Sequence, residues 1–130
     1  MSTATAYVPR PPDACWRVFI DPKVLAAWLP GLRTMAVIAS NPDGTPSEIQ
    51  FEFAGSRIYS LVYTYDHAAR EVRWEPRLGK LDAVRGSAKF DAFDEGTRMS
   101  YTFEPTGGSR WDQDPSQEVL DAFSRWMLRR

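Results

Sequence analysis

The spacing of apolar residues changes along this chain, and that change limits its fold more than any single motif. From Pro12 to Trp28, and again after Pro115, apolar residues recur at helical spacing, whereas from Leu32 to Glu104 they recur at every second position. The last part of this block alternates most strictly, with Met99, Tyr101 and Phe103 on one face and Arg98, Ser100, Thr102 and Glu104 on the other. Such a block predicts antiparallel strands joined by hairpins.

Turn-forming residues divide the block into separate strands. Asn41–Gly44, Gly55-Ser56 and His67–Arg70 predict turns, and in Asp94-Glu95-Gly96 the glycine is expected to take a positive φ. Both faces of the segment Arg57–Asp66 carry apolar groups, so the sequence does not decide which face points inward. The predicted strands are Thr3–Val8, Arg33–Ser40, Glu48–Ala54, Arg57–Asp66, Glu71–Glu75, Leu81–Phe93 and Thr97–Glu104.

Three helices are predicted at the two ends of this block. Pro12 suits a first helical position, and the pattern that follows predicts a short helix to about Ile20. Asp21-Pro22 predicts the N-cap and first turn of a second helix, which ends at Pro30-Gly31. Asp114-Pro115 predicts the start of the last helix, whose apolar stripe is Val119, Leu120, Phe123, Trp126 and Met127. Strands in one run with helices at the ends indicate an α+β fold in which helix covers one sheet face.

Size, composition and charge exclude several classes of protein. A chain of 130 residues with 43% hydrophobic and 25% charged residues predicts one folded domain over residues 1–130. Its 16 Lys and Arg nearly balance 17 Asp and Glu, so no basic field for nucleic acid is expected. The single cysteine, Cys15, excludes an internal disulfide and a Cys-rich zinc site. No signal-peptide pattern and no membrane-spanning apolar run are present, so a cytoplasmic location is expected.

Three local strings, in this order and spacing, resemble the START-like (SRPBCC) superfamily, especially its polyketide cyclase/dehydrase-like members. Val8–Pro22 looks like the family's first strand end and first helix, and Leu25–Gly31 is similar to its second-helix ending. The stretch from Arg85 to Arg98 resembles its late hairpin. The resemblance implies a helix-grip fold, in which a curved antiparallel sheet wraps around a C-terminal helix and encloses an apolar cavity, with two short helices after the first strand.

Two features depart from the family pattern. The last helix, from about Pro115 to Arg130, is shorter than the family suggests, and the linker 106–114 before it is longer and contains Trp111. Trp111 is expected either to cap the mouth of the cavity or to pack against a second subunit. The sequence therefore does not decide whether the protein forms a homodimer.

Strand parity predicts which side chains line the hollow if the sheet is concave. Charged alternates must face outward, because an unpaired buried charge is costly, and the apolar alternates then face inward. Either these residues pack together as a core or they leave space for a ligand; the small residues Gly86 and Ala88 favour such space. The residues assigned to ligand binding are Phe51, Phe53, Trp74, Ala88, Phe90, Met99, Tyr101, Phe103 and Phe123.

Few residues suggest catalysis or cofactor binding. His67 is the only histidine and lies in a predicted turn, so a solvated residue is favoured over a general base. Cys15 lies on an apolar helix face and is expected to be a buried hydrophobe. Asp82 and Tyr101 share the inward parity and are the only candidates for a catalytic role. We expect neither a metal nor a nucleotide cofactor, because no ligand spacing or phosphate-binding loop is present.

The sequence therefore favours binding of a small hydrophobic molecule, aromatic or polycyclic, in an internal cavity. A cyclase/dehydratase-type enzyme that uses the same pocket is the second hypothesis, and the sequence does not decide whether a reaction occurs. A protein-interaction module that resembles a chaperone cofactor is the third, and one contiguous exposed apolar patch would favour it.

Overall fold

Strands and helices follow each other in the predicted order. The computed structural model describes residues 2–54, 57–76, 84–105 and 115–129. Its elements are β1 (Ser2–Val8), α1 (Pro12–Phe19), α2 (Pro22–Trp28), β2 (Leu32–Ser40), β3 (Pro46–Phe53), β4 (Arg57–Asp66), β5 (Glu71–Pro76), β6 (Val84–Phe93), β7 (Gly96–Pro105) and α3 (Ser116–Leu128). Two predicted boundaries, the start of β6 at Leu81 and the cap at Asp114, lie outside the described residues, and so does the predicted turn Gly55-Ser56.

The seven strands form one antiparallel sheet in the order β1-β7-β6-β5-β4-β3-β2. Strands β2 to β7 pair with their neighbours in sequence, whereas β1 pairs with β7, with Ala4 opposite Tyr101. The chain therefore crosses from one edge of the sheet to the other through α1 and α2. This arrangement confirms the α+β class, with two short helices after the first strand and one helix at the end.

The start of each N-terminal helix follows from its local sequence. Pro12 occupies the first turn of α1, where a missing N–H removes no helical hydrogen bond. The Asp21 side chain caps α2 by accepting a hydrogen bond of 2.9 Å from the backbone N–H of Lys23. After α2, Gly31 takes a φ of 76°, which turns the chain into β2.

The hairpin between β6 and β7 differs from the prediction in its use of Gly96. The positive φ angles belong to Asp94 (48°) and Glu95 (65°), and Gly96 is the first residue of β7. A Cβ on Gly96 would lie 2.6 Å from both the Tyr7 hydroxyl and the Val8 carbonyl oxygen. Close approach of β1, not turn geometry, therefore requires glycine at this position.

The helices cover the inner face of the sheet unevenly. Helix α3 packs mainly on β1 and β7, α1 packs on β6 and β7, and α2 packs on β2. The inner faces of β3, β4 and β5 consequently receive less helical cover than those of β6 and β7.

In the part of the chain described, no helix has both the length and the apolar character needed to cross a membrane.

Candidate functional site

A cavity of about 550 Å³ lies where this cover is thinnest. It is bounded by the inner face of the sheet, the segment from the end of α1 to the start of β2, and the first turn of α3. Its wall is formed by Phe19, Ile20, Leu25, Trp28, Leu29, Pro30, Gly31, Pro46, Ile49, Phe51, Phe53, Ala54, Tyr59, Leu61, Tyr63, Tyr65, Val72, Trp74, Tyr101, Phe103, Pro115, Glu118 and Val119.

Strand β4 supplies the residues that the sequence left unassigned. Its inward face carries Tyr59, Leu61, Tyr63 and Tyr65, whereas Ile58 on the other face is 57% exposed. Pairing with β3 fixes this choice, because Tyr59 lies opposite Phe51, which is already buried on the inner face. The Phe51 and Phe53 rings stack with centroids 6.0 Å apart and continue the aromatic wall.

Gly86 leaves space on the inner face, but a neighbouring side chain occupies it. A Cβ on Gly86 would lie 2.7 Å from Nε1 of Trp74 and 2.5 Å from the carbonyl oxygen of Thr102. The indole of Trp74 therefore lies over Gly86, and the Trp74 and Tyr101 rings pack with centroids 5.5 Å apart. Glycine at position 86 positions Trp74 at the cavity wall and does not itself create the cavity.

The cavity wall includes part of the set that the sequence assigned to ligand binding. Five of those residues line the cavity: Phe51, Phe53, Trp74, Tyr101 and Phe103. Four are buried but do not line it: Ala88, Phe90, Met99 and Phe123. The sequence also assigned a candidate role to Asp82, which lies outside the described residues.

Helix side chains fill the space in front of Phe90. The Phe90 ring packs against Phe19 of α1, with centroids 5.3 Å apart, and against Phe123 of α3, with centroids 5.9 Å apart. Parity places a residue on the inner face, but the helix that lies opposite decides whether that residue meets another side chain or open space. Ala88, Phe90, Met99 and Phe123 thus lie in the packed core, and their role in ligand binding stays a prediction.

Parity in the sheet could not reveal the contributions of the helices and loops. The end of α2 and the turn that follows it form one side of the cavity, from Leu25 to Gly31. A hydrogen bond of 2.9 Å from the Ala54 N–H to the Gly31 carbonyl joins this turn to the end of β3. The helical spacing of Leu25 and Trp28 was the available signal, because an amphipathic helix must bury that face against the sheet.

The polar groups of the described wall are mainly phenols. The Tyr65 hydroxyl donates a hydrogen bond of 2.7 Å to the Pro46 carbonyl. Burial raises the pKa of Tyr63 well above its ordinary value, and the neighbouring Tyr65, Tyr101 and Tyr59 raise it further. Burial likewise raises the pKa of Tyr65, so both hydroxyls stay protonated near neutral pH.

Charged groups are scarce in this wall. Of the described wall residues, only Glu118 has an acidic side chain, and none is Lys, Arg or His. Glu118 is exposed at the start of α3, at the edge of the cavity. An ionised ligand would therefore find no described cation to balance its charge inside, whereas an uncharged ligand needs none.

His67 and Cys15 lie away from the cavity wall. His67 is half-exposed in the turn after β4, as predicted, but it has partners: Nε2 lies 3.1 Å from an Asp43 carboxylate oxygen, and the ring stacks on Tyr65. Cys15 is fully buried, and this burial raises the pKa of its thiol. No group of three metal-ligating side chains occurs within the described segments.

Comparison with solved structures places this architecture in a known group. A protein from Thermus thermophilus matches with a TM-score of 0.77 and 18% identity, over 98% of this chain and 96% of the other. A START superfamily protein from Mycobacterium smegmatis matches with a TM-score of 0.72 and 13% identity, over 98% and 90%. An aromatase/cyclase from a Streptomyces species matches with a TM-score of 0.70 and 16% identity, over 98% and 85%.

None of the curated proteins matches this chain. A family model, however, agrees with the structural comparison. The family model described as polyketide cyclase / dehydrase and lipid transport matches residues 2–130. The curved antiparallel sheet with its C-terminal helix is the helix-grip fold expected from the sequence. The chain therefore belongs to the polyketide cyclase/dehydrase and lipid transport family of START-like proteins.

Proposed function

We propose that this protein binds a small hydrophobic molecule, aromatic or polycyclic, in the cavity beneath β3, β4 and β5. The observation that carries the proposal is the cavity itself, about 550 Å³ in volume, with a wall made largely of aromatic and aliphatic side chains. Small-molecule sites typically have about 300–1,000 Å³ of such space and only a few polar groups. The scarcity of charge in the described wall supports an uncharged ligand.

Binding is favoured over catalysis by the chemistry of the described wall. Tyr101, one of the two catalytic candidates, lines the cavity, but the other, Asp82, lies outside the described residues. The neighbouring phenols Tyr63 and Tyr65 are held protonated, so they can donate hydrogen bonds but are poor bases. The proposal therefore includes no reaction, and the homodimer and the cytoplasmic location stay predictions.

Large exposed apolar side chains give no preference for an interaction module. Within the described residues they lie on five elements, β1, β2, β4, β6 and α3, rather than on one: Tyr7, Val37, Ile38, Ile58, Phe93 and Leu128. Trp111, which would have been part of such a patch, lies outside the described residues.

Titration with a neutral fluorophore tests the proposal. N-phenyl-1-naphthylamine emits strongly in apolar surroundings, so binding in the cavity should produce a saturable rise in its emission. The blocking variant is Val119→Phe, because Val119 lies on the first turn of α3 and lines the cavity. The matched control is Leu128→Phe, which adds a ring to the same helix at a position 54% exposed to solvent.

The expected result is saturable binding by the wild type and by Leu128→Phe, and binding at least about tenfold weaker by folded Val119→Phe. Absence of saturable binding by the wild type, or equal affinity in all three proteins, would contradict the proposal. Circular dichroism and thermal unfolding confirm that each variant is folded.

A further inference from the structure

A tyrosine hydroxyl in the cavity wall has no hydrogen-bond partner among the described residues. The Tyr63 hydroxyl makes no hydrogen bond to any described residue, although Tyr63 lines the cavity. Its neighbour on the same face, Tyr65, differs in this respect, because its hydroxyl donates to the Pro46 carbonyl. Protein groups therefore satisfy one of these two phenols and leave the other available.

The Tyr63 hydroxyl is also accessible from the cavity. Nε1 of Trp28 has neither a hydrogen-bond partner nor accessible surface, whereas no polar atom of Tyr63 lacks both. The unpartnered Tyr63 hydroxyl therefore keeps some accessible surface. Tyr63 is deep enough that burial is the main cause of its raised pKa. Tyr63 is a cavity-lining residue, so this accessible surface lies at the cavity wall.

Ring packing holds this hydroxyl in place. The Tyr63 ring stacks on Tyr65 with centroids 6.1 Å apart and an interplanar angle of 18°. Trp74 packs against it with centroids 6.0 Å apart. A donor fixed between two aromatic neighbours loses little conformational entropy when a ligand accepts its hydrogen bond, which is the condition for an orienting contact.

We infer that Tyr63 orients the ligand by donating a hydrogen bond, and that the cavity therefore prefers an apolar molecule carrying a ketone or similar oxygen acceptor. A hydrocarbon of the same shape would leave the Tyr63 hydroxyl buried and unpaired, which opposes its binding. This inference rests on the proposed function, since it names the polar feature of the ligand that the cavity selects.

A matched pair of ligands and a matched pair of variants test this inference. 9-Fluorenone and fluorene have nearly the same shape and differ in one carbonyl oxygen, and their affinities are obtained by displacement of N-phenyl-1-naphthylamine. Tyr63→Phe removes only the hydroxyl in question. Tyr7→Phe is the control, because Tyr7 is exposed on β1, does not line the cavity, and donates its hydroxyl to the Asp94 carbonyl in the turn between β6 and β7.

The wild type and Tyr7→Phe should bind 9-fluorenone about three- to tenfold more tightly than fluorene, and Tyr63→Phe should bind the two equally. Infrared spectra give an independent measurement: the carbonyl stretch of bound 9-fluorenone should lie at lower wavenumber in the wild type than in Tyr63→Phe. A ketone preference or a carbonyl shift that survives Tyr63→Phe overturns the role of Tyr63. Equal affinities in the wild type overturn the acceptor preference while leaving the proposed function intact. Absence of displacement by both compounds while N-phenyl-1-naphthylamine still binds overturns the acceptor preference, and absence of N-phenyl-1-naphthylamine binding overturns the proposed function as well.

Discussion

Two regions of the core, both between the helices and the inner face of the sheet, have similar side chains but different packing. The filled region consists of Phe90, Met99, Leu120, Phe123 and Met127, all of which are 2% exposed or less. The hollow region consists of Phe51, Phe53, Leu61, Tyr63 and Val119, all of which line the cavity. Apolar composition alone therefore does not determine where a cavity forms in this fold.

Helix α3 explains the difference, because it contributes to both regions. Val119, on its first turn, lines the cavity, whereas Phe123 on the next turn packs against Phe19, Trp28 and Phe90. The helix begins at Ser116 and covers mainly β1 and β7. Strands β3 and β4 lie farther from it in the sheet order, and this is where the unfilled space remains.

The largest effect is expected from truncating a ring in the filled region. Phe123→Ala should lower the free energy of unfolding by about 3–5 kcal/mol, because it removes a fully packed ring. Phe53→Ala should cost on the order of 1–2 kcal/mol, because Phe53 is only partly buried and already borders empty space. Urea unfolding of both variants measures the two losses. Equal losses would show that the regions do not differ in packing.

Added side-chain volume should likewise cost more stability outside the cavity than at its wall. Ala88→Trp should destabilise the protein by about 1–3 kcal/mol or more, because Ala88 is buried outside the cavity and the new ring overpacks the core. Val119→Phe should cost less than about 1 kcal/mol, because its extra atoms enter open space. Thermal and urea unfolding provide the comparison. A harmless Ala88→Trp substitution would place unfilled space beneath β6.

A smaller effect separates the two neighbouring phenols of β4. Tyr65→Phe should lower the free energy of unfolding by about 1 kcal/mol, because it removes the hydrogen bond from the hydroxyl to the Pro46 carbonyl. Tyr63→Phe should be close to neutral in the ligand-free protein, because its hydroxyl has no partner among the described residues. Urea unfolding measures both variants. A larger loss for Tyr63→Phe than for Tyr65→Phe would mean that protein groups hold the Tyr63 hydroxyl.

The smallest effect concerns pH at the turn between β2 and β3. Hydrogen bonds from Thr45 and the neighbouring His67 hold the pKa of Asp43 below its ordinary value. Since the folded-state pKa is the lower one, this stabilisation is present above about pH 4 and is lost as the pH falls through the folded-state value. The melting temperatures of the wild type and Asp43→Asn should therefore differ at about pH 5 and converge as the pH falls below the folded-state pKa of Asp43. A gap that stays constant would show that the carboxylate charge contributes nothing.

Sequence periodicity was sufficient to predict most of the fold. The strict alternation of β7 assigned Met99, Tyr101 and Phe103 to the inner face, and all three are buried. Turn residues also located the hairpins, because their conformational preferences are local. Gly96 is an exception. Glycine is required at this position because a Cβ would clash with Tyr7, a residue far away in sequence, and no local rule could reveal that contact.

Periodicity was less informative about the cavity. On β4 the apolar residues on both faces left its register open until pairing with β3 fixed it, so Tyr63 was not assigned to the wall. Phe90 and Phe51 have the same parity and similar burial, yet only Phe51 faces the cavity. The difference depends on where α1 and α3 lie over the sheet, which is a tertiary property that strand alternation does not contain.

Nuclear magnetic resonance of the methyl groups tests the contrast between the two regions most directly. Isotope-labelled protein saturated with N-phenyl-1-naphthylamine would be examined for nuclear Overhauser effects between the ligand and assigned methyl groups. A ligand in the hollow region should give effects to Leu61 and Val119, which line the cavity, and none to Leu120 or Met127, which do not. Effects to Leu120 and Met127 in place of Leu61 and Val119 would contradict the division of the core into a filled and a hollow region.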